Sequence, residues 1–145
     1  MSETSSAPEL HSRPLEDEEW LPAIDALVSF MREAFPGALI TAEYGFGCRI
    51  HADLTYVAMR IGVGRADKFF QRSIEQRIFL PGSSDLYVHA PDRQLRIMFC
   101  HEGDMHVAAR DSSLLERFLG TAPFTQFGFK TPDKSTRQIA PNADA

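Results

Sequence analysis

Sulfur, imidazole and carboxylate groups crowd one short stretch of this chain, Cys100-His101-Glu102-Gly103-Asp104-Met105-His106. Zinc binding is the first chemistry such residues can do. His101 and His106 flank a turn, and His51 and His89 lie in other candidate strands, so three imidazoles could in principle surround one ion. No HExxH or CxxC spacing gathers them, so no metal ligand is assigned, and the histidines read as surface or hydrogen-bonded groups. Nucleophilic catalysis is the second. Cys100 beside His101 has the residue types of a thiol and its base. Successive residues of a strand point to opposite faces, however, which keeps such a pair from exchanging a proton. Cys100 reads instead as a small core residue. Glu102 and Asp104 have the types of an acid–base pair, but a hairpin tip leaves them solvated and poorly suited to proton transfer. GxSxG and P-loop patterns are absent, and Gly45-Phe46-Gly47 lacks both GxGxxG spacing and a following helix. The reading is non-enzymatic, with no catalytic residue, no cofactor and no metal.

The elements that position these groups form a meander. Asp85 to Asp111 reads as three antiparallel strands separated by Ala90-Pro91-Asp92-Arg93 and Glu102-Gly103-Asp104. Pro91 suits a turn corner, and Gly103 supplies positive φ. With alternating side chains, Leu95, Ile97, Phe99 and His101 share one face with His106, Ala108 and Arg110. Arg96, Met98, Cys100 and Glu102 share the other with Met105, Val107 and Ala109. Both faces are then largely apolar, which predicts helices on both faces of the sheet.

The remaining chain supplies those helices. Residues 1–15 are mostly polar and read as a disordered arm, 16–130 as a single α+β domain, and 131–145 as a second polar tail. Glu16 to Glu19 precede a helix in which Ile24, Leu27, Val28, Met31 and Phe35 recur at helical spacing, and Pro36-Gly37 stops it. Leu39-Ile40 and Cys48-Ile50 read as two short strands around a turn at residues 43–47. Leu54 to Val63 fits two periods. Val57, Met59, Ile61 and Val63 alternate as in a strand, whereas Leu54, Val57, Ala58 and Ile61 fit a helix capped by Asp53. Gly62 and Gly64 would each cost that helix about 1 kcal/mol. Ala66 to Phe79 reads as helix, with Phe70, Ile74 and Ile78 on one side. Ser112 or Ser113 caps a short helix through Leu119, and Phe124, Phe127 and Phe129 pack back on the domain.

Composition narrows the function classes. The chain has 145 residues, 43% of them hydrophobic, with net charge −5 and pI about 5.5. An acidic chain lacks the basic face that nucleic acid or anionic lipid requires. Cys48 and Cys100 are too few and too far apart for a disulfide framework, and no apolar run or signal-like segment stands out. A cytoplasmic protein that binds neither nucleic acid nor membrane is expected.

The order helix, two strands, long helix, three strands, short helix (α-β-β-α-β-β-β-α, about five strands) resembles the roadblock / dynein light-chain family from about Leu21 to Leu119. Pro36-Gly37-Ala38-Leu39-Ile40, a turn with Gly45, and Cys48-Arg49-Ile50 are similar to that family's opening. Leu54 to Phe79 resembles its long second helix, and Asp85-Leu86-Tyr87 through Val107-Ala108 its closing meander. Gly62, Gly64 and the Phe-rich residues 122–130 depart from the pattern. The resemblance implies a homodimer in which the third strands, Leu86 to Ala90, pair across a two-fold beside the second helices. It implies an adaptor that binds a protein partner such as a small Ras-like GTPase. The implied dimer and partner surface is Leu86, Tyr87, Val88, His89, Arg65, Phe69, Phe70, Arg72 and Ser73. Two alternatives stand beside it. A strand at Leu54–Val63 makes the chain look like a class I type III secretion chaperone, and its size and acidity also suit a toxin-neutralising immunity protein.

Overall fold

The computed structural model describes residues 9–45 and 57–132. In chain order the elements are β1 (Leu10–His11), α1 (Trp20–Ala34), β2 (Leu39–Gly45), β3 (Val57–Gly62), α2 (Ala66–Glu75), β4 (Asp85–His89), β5 (Leu95–Phe99), β6 (Met105–Ala109) and α3 (Ser112–Leu119). The domain is α+β. Its strands form one six-stranded sheet in the order β1-β6-β5-β4-β2-β3, antiparallel throughout. No described helix is long and apolar enough to cross a membrane.

Turn parity decides which residues face the helices. Cys100 N donates to Asp104 O, and Gly103 N to Cys100 O, so a three-residue loop, His101 to Gly103, closes the hairpin within the five-residue connection from β5 to β6. Gly103 takes φ +99°, which only glycine adopts cheaply. An odd connection pairs Leu95 with Ala109, Ile97 with Val107 and Phe99 with Met105. The sequence partition placed these sets on opposite faces, as only an even connection would, although the turn read there, Glu102-Gly103-Asp104, is itself odd. The observed register gathers them on one face, together with Ile40, Ala42, Tyr44, Leu86 and Val88, all buried in the main core. Arg96, Met98, His106 and Ala108 share the other face with Thr41, Glu43, Tyr87 and His89.

The buried residues of all three helices join the same core. Trp20, Ile24, Leu27, Val28 and Met31 come from α1, Ala66 and Phe70 from α2, and Leu114, Leu115 and Phe118 from α3. Among the described residues all three helices therefore pack on one face, not on both as expected; the other, the open face, carries no described helix, although His89, Met98 and Ala108 on it are buried at 7%, 6% and 7% exposure. The register gathers most of the large apolar side chains on the helix-covered face and leaves a mixed polar and apolar set on the other.

Four further expectations change. Val57–Gly62 is a strand paired over six positions with β2, so the long helix from Leu54 does not form there. Its alternation and its glycines favour the extended backbone, and Ile61 packs opposite Ile40 in the core. Glu43 and Tyr44 continue β2 rather than turning, while Cys48–Ile50 and Asp53 lie outside the described residues. The helix at Ala66 stops at Glu75, and Arg77 takes φ 61°, which leaves Ile78 exposed. The cap of α3 is Asp111, whose Oδ1 accepts from Ser113 N at 3.0 Å.

Part of the expected disordered arm is structured. Leu10 and His11 add a strand to β6, and His11 also exchanges backbone hydrogen bonds with Lys130 at 2.8 and 3.0 Å. Ser12 N donates to Met105 O, Arg13 N to Phe127 O and Leu15 N to Gly103 O. Arg13 grips the Glu19 carboxylate with two nitrogens, each at 2.9 Å. That guanidinium contact, helped by Glu16 N, holds the Glu19 carboxyl down to about 2. Leu15 and the rings of Phe124 and Phe127 are buried, the phenylalanines as the sequence leads one to expect. Met1–Pro8 and residues 133–145, most of the second expected tail, lie outside the described residues.

Candidate functional site

The open sheet face carries most of the chain's chemistry. Row by row across the strands, it presents Thr41, His89, Arg96 and Ala108, then Glu43, Tyr87, Met98, His106 and His11. Asp85 begins β4 beside the end of β5, one step beyond the Leu86–Phe99 pair, which sets it against Cys100. Three of the four described histidines stand on this face, and His101 stands at its edge.

Two carboxylate–histidine pairs flank the Cys100 sulfur. In the first, Asp85 Oδ1 lies 3.0 Å from His101 Nδ1 and accepts from the His101 backbone N–H at 2.8 Å. Asp85 is fully buried, and its Oδ2 has no hydrogen-bond partner among the described residues. In the second, Asp104 Oδ2 lies 3.2 Å from His106 Nε2, and Asp104 Oδ1 is likewise buried without a described partner. Burial opposes ionisation of Asp104, but the His106 imidazole outweighs it and holds the carboxyl below its usual range. Burial also opposes charging of His106. Asp104, with Glu9 and Glu102, more than compensates and raises its affinity for a proton. The His106 ring stacks on His11, with centroids 3.6 Å apart and planes 6° from parallel.

Cys100 and His101 meet after all. Their Sγ and Nδ1 atoms are 3.9 Å apart, because β5 ends at Phe99 and His101 opens the turn, where strand alternation lapses. His101 and His106 do not approach across the hairpin as the sequence partition implied: each instead finds its own aspartate. A nucleophile–base–orienter chain needs the thiol on one imidazole nitrogen and the carboxylate on the other. Here Sγ and the carboxylate both approach Nδ1, which is the geometry of converging ligands rather than of a proton relay.

Further along the face a shallow cavity of about 170 Å³ is lined by Glu9, Glu43, Tyr87, His89, Arg93 and Arg96, among others. His89 Nε2 lies 3.5 Å from Glu43 Oε2, and its ring is parallel to Tyr87. Burial lowers the His89 proton affinity, Arg93 and Arg96 act in the same direction, and Glu43 opposes them. A wider depression of about 480 Å³ between the end of α1 and the start of α3 is lined by Asp92, Arg110, Asp111 and Arg117, with no histidine or cysteine.

The surface expected for a dimer or partner is divided by the fold. Leu86 and Val88 face the core and are fully buried, while Tyr87 and His89 lie on the open face. β4 is paired with β2 on one side and β5 on the other, so it has no edge to offer across a two-fold. Arg65, just before α2, and Arg72 on it are exposed, but Phe70 is 1% exposed and Ser73 is buried, hydrogen-bonded to the Tyr44 hydroxyl. Phe69 is half-buried against Tyr44 and Phe70. Asp85, Glu43 and His11 escaped the sequence reading. Only the strand register brings them beside the histidines.

No family model matches the chain, and none of the curated proteins or solved structures compared with it is similar.

Proposed function

We propose that this chain is a non-enzymatic protein-binding domain that self-associates through the open face of its sheet. The observation that carries the reading is that face itself: six strands covered by three helices on one side and by no described helix on the other. A two-fold contact sets a patch against its own copy, so a patch bearing both signs can neutralise itself. Here Glu9 and Glu43 stand among Arg93 and Arg96, a balanced set on a chain of net charge −5. The cavity on this face, about 170 Å³ and below the roughly 300–1,000 Å³ of ordinary small-ligand pockets, favours a macromolecular contact there over a bound metabolite.

Sedimentation velocity on the full chain tests this. The wild type is expected to dimerise at micromolar concentration. Arg96→Glu reverses the charge of an exposed residue, so it should leave the circular dichroism unchanged and weaken the dimer at least about tenfold. A monomeric wild type, or an Arg96→Glu dimer of undiminished affinity, would refute the proposal.

A further inference from the structure

We propose that Asp85, Cys100 and His101 form a binding site for a divalent transition-metal ion of the zinc class. The donor atoms (one carboxylate oxygen, Sγ and an imidazole nitrogen) all lie within 4.8 Å of one another. Tetrahedral zinc with bonds of about 2.0–2.3 Å sets its ligand atoms roughly 3.3–3.6 Å apart. The observed separations, 3.0 Å for Nδ1–Oδ1 and 3.9 Å for Sγ–Nδ1, bracket that range, so small side-chain rotations reach it.

A buried hydrogen-bonded cluster is the simpler account of these three residues, and it explains Asp85 Oδ1, which accepts from the His101 backbone. It does not explain Oδ2. A carboxylate has about four acceptor positions, and this one is fully buried with a whole oxygen lacking a described partner. A cation held by both carboxylate oxygens, or by Oδ2 after a small rotation of the carboxylate, answers that need. Cys100 contributes a sulfur that already accepts the Glu102 backbone N–H at 3.5 Å. Sulfur with imidazole selects zinc-like ions over magnesium or calcium, which prefer all-oxygen sites. The His101 side chain is 21% exposed, so the site lies near the surface rather than deep in the core. The ion would tie the first residue of β4 to the β5–β6 turn, so binding braces the edge of the open face.

Asp104 and His106 form a competing set around the same sulfur, again within 4.8 Å, and the test must separate the two. Full-length protein is titrated with cobalt chloride alone. One equivalent should give a near-ultraviolet thiolate-to-cobalt charge-transfer band and visible d–d bands of tetrahedral intensity, and zinc chloride should abolish both. Cys100→Ser and His101→Gln should lose the band and weaken binding beyond the roughly 10–100-fold that outlying partners of a metal site cost. Cys48→Ser, Asp104→Asn and His106→Gln should keep it. Because Asp85 and Cys100 are buried, circular dichroism checks each variant. The wild type supplies a measurement free of substitution: its Tm should rise with zinc concentration, as ligand linkage requires. The proposal is overturned by a wild type with neither band nor Tm shift, or by a band that survives Cys100→Ser. It is equally overturned if the band depends on His106 and not on His101.

Discussion

Phe70 separates a core reading of α2 from a partner-surface reading. The helix has ten residues, and its buried side chains are Ala66, Phe70 and Ser73, so the one large ring does most of its docking. Phe70 is 1% exposed and meets Phe69 edge-on at 5.3 Å. Burying a phenylalanine removes on the order of 150–200 Å² of apolar surface from water, about 4–5 kcal/mol at ~25 cal/mol per Å². Measured Phe→Ala losses of about 3–5 kcal/mol agree. Against a net stability of about 5–15 kcal/mol, that is a large fraction. Phe70→Ala should therefore lower the urea midpoint by about 1.5–2.5 M, taking a slope near 2 kcal/mol per molar. Tm should fall by on the order of 10–15 °C at ~3–4 °C per kcal/mol. The neighbouring exposed Arg72→Ala should stay within about 0.5 kcal/mol of wild type. A Phe70→Ala protein within about 1 kcal/mol of wild type would refute the placement and return the ring to the surface.

Two other outcomes follow from the same geometry. The histidines of the open face should make stability depend on pH in opposite senses. His106 binds its proton more tightly when folded, so its contribution is complete below the unfolded value of about 6.5 and is lost as pH rises through the raised folded value. Asp104 contributes above its unfolded value of about 3.9 and loses its contribution as pH falls through the lowered folded value, so the pair acts between about pH 4 and 6.5. His89, favoured neutral by burial, contributes above about 6.5 and loses that contribution as pH falls through its own lowered value. In urea melts, His106→Gln should therefore cost more at pH 5.5 than at pH 8.5, and His89→Gln should relieve acid sensitivity; parallel profiles for both would contradict the pairing. Gly103→Ala forces a side chain into φ +99° with open space around it, so it should cost about 1–2 kcal/mol by backbone strain alone. Hydrogen exchange should show the opening concentrated at residues 100–105, and unchanged protection there would count against the turn.

Much of the architecture could be read from local pattern. The spacing of Ile24, Leu27, Val28 and Met31 marked the face that α1 buries, and Phe124 and Phe127 were identified as core rings. The meander was visible in its two turns. Leu54–Val63 fits both periods, and there pairing with β2 decided in favour of strand. Glu9–Leu15 gave too short a signal. Its strand has two residues, held by β6 and Lys130 from distant parts of the chain.

The sequence by itself determined where helices and hairpins can begin and end, because capping groups, glycines and hydrophobic spacing act over a few residues. Only tertiary structure decided which face each strand turns to the helices. A single residue more or less in the β5–β6 connection exchanges the faces, and no periodicity within a strand records that choice. The placement of Asp85, Cys100 and His101 depends on the same register, since it sets the start of one strand beside the end of another.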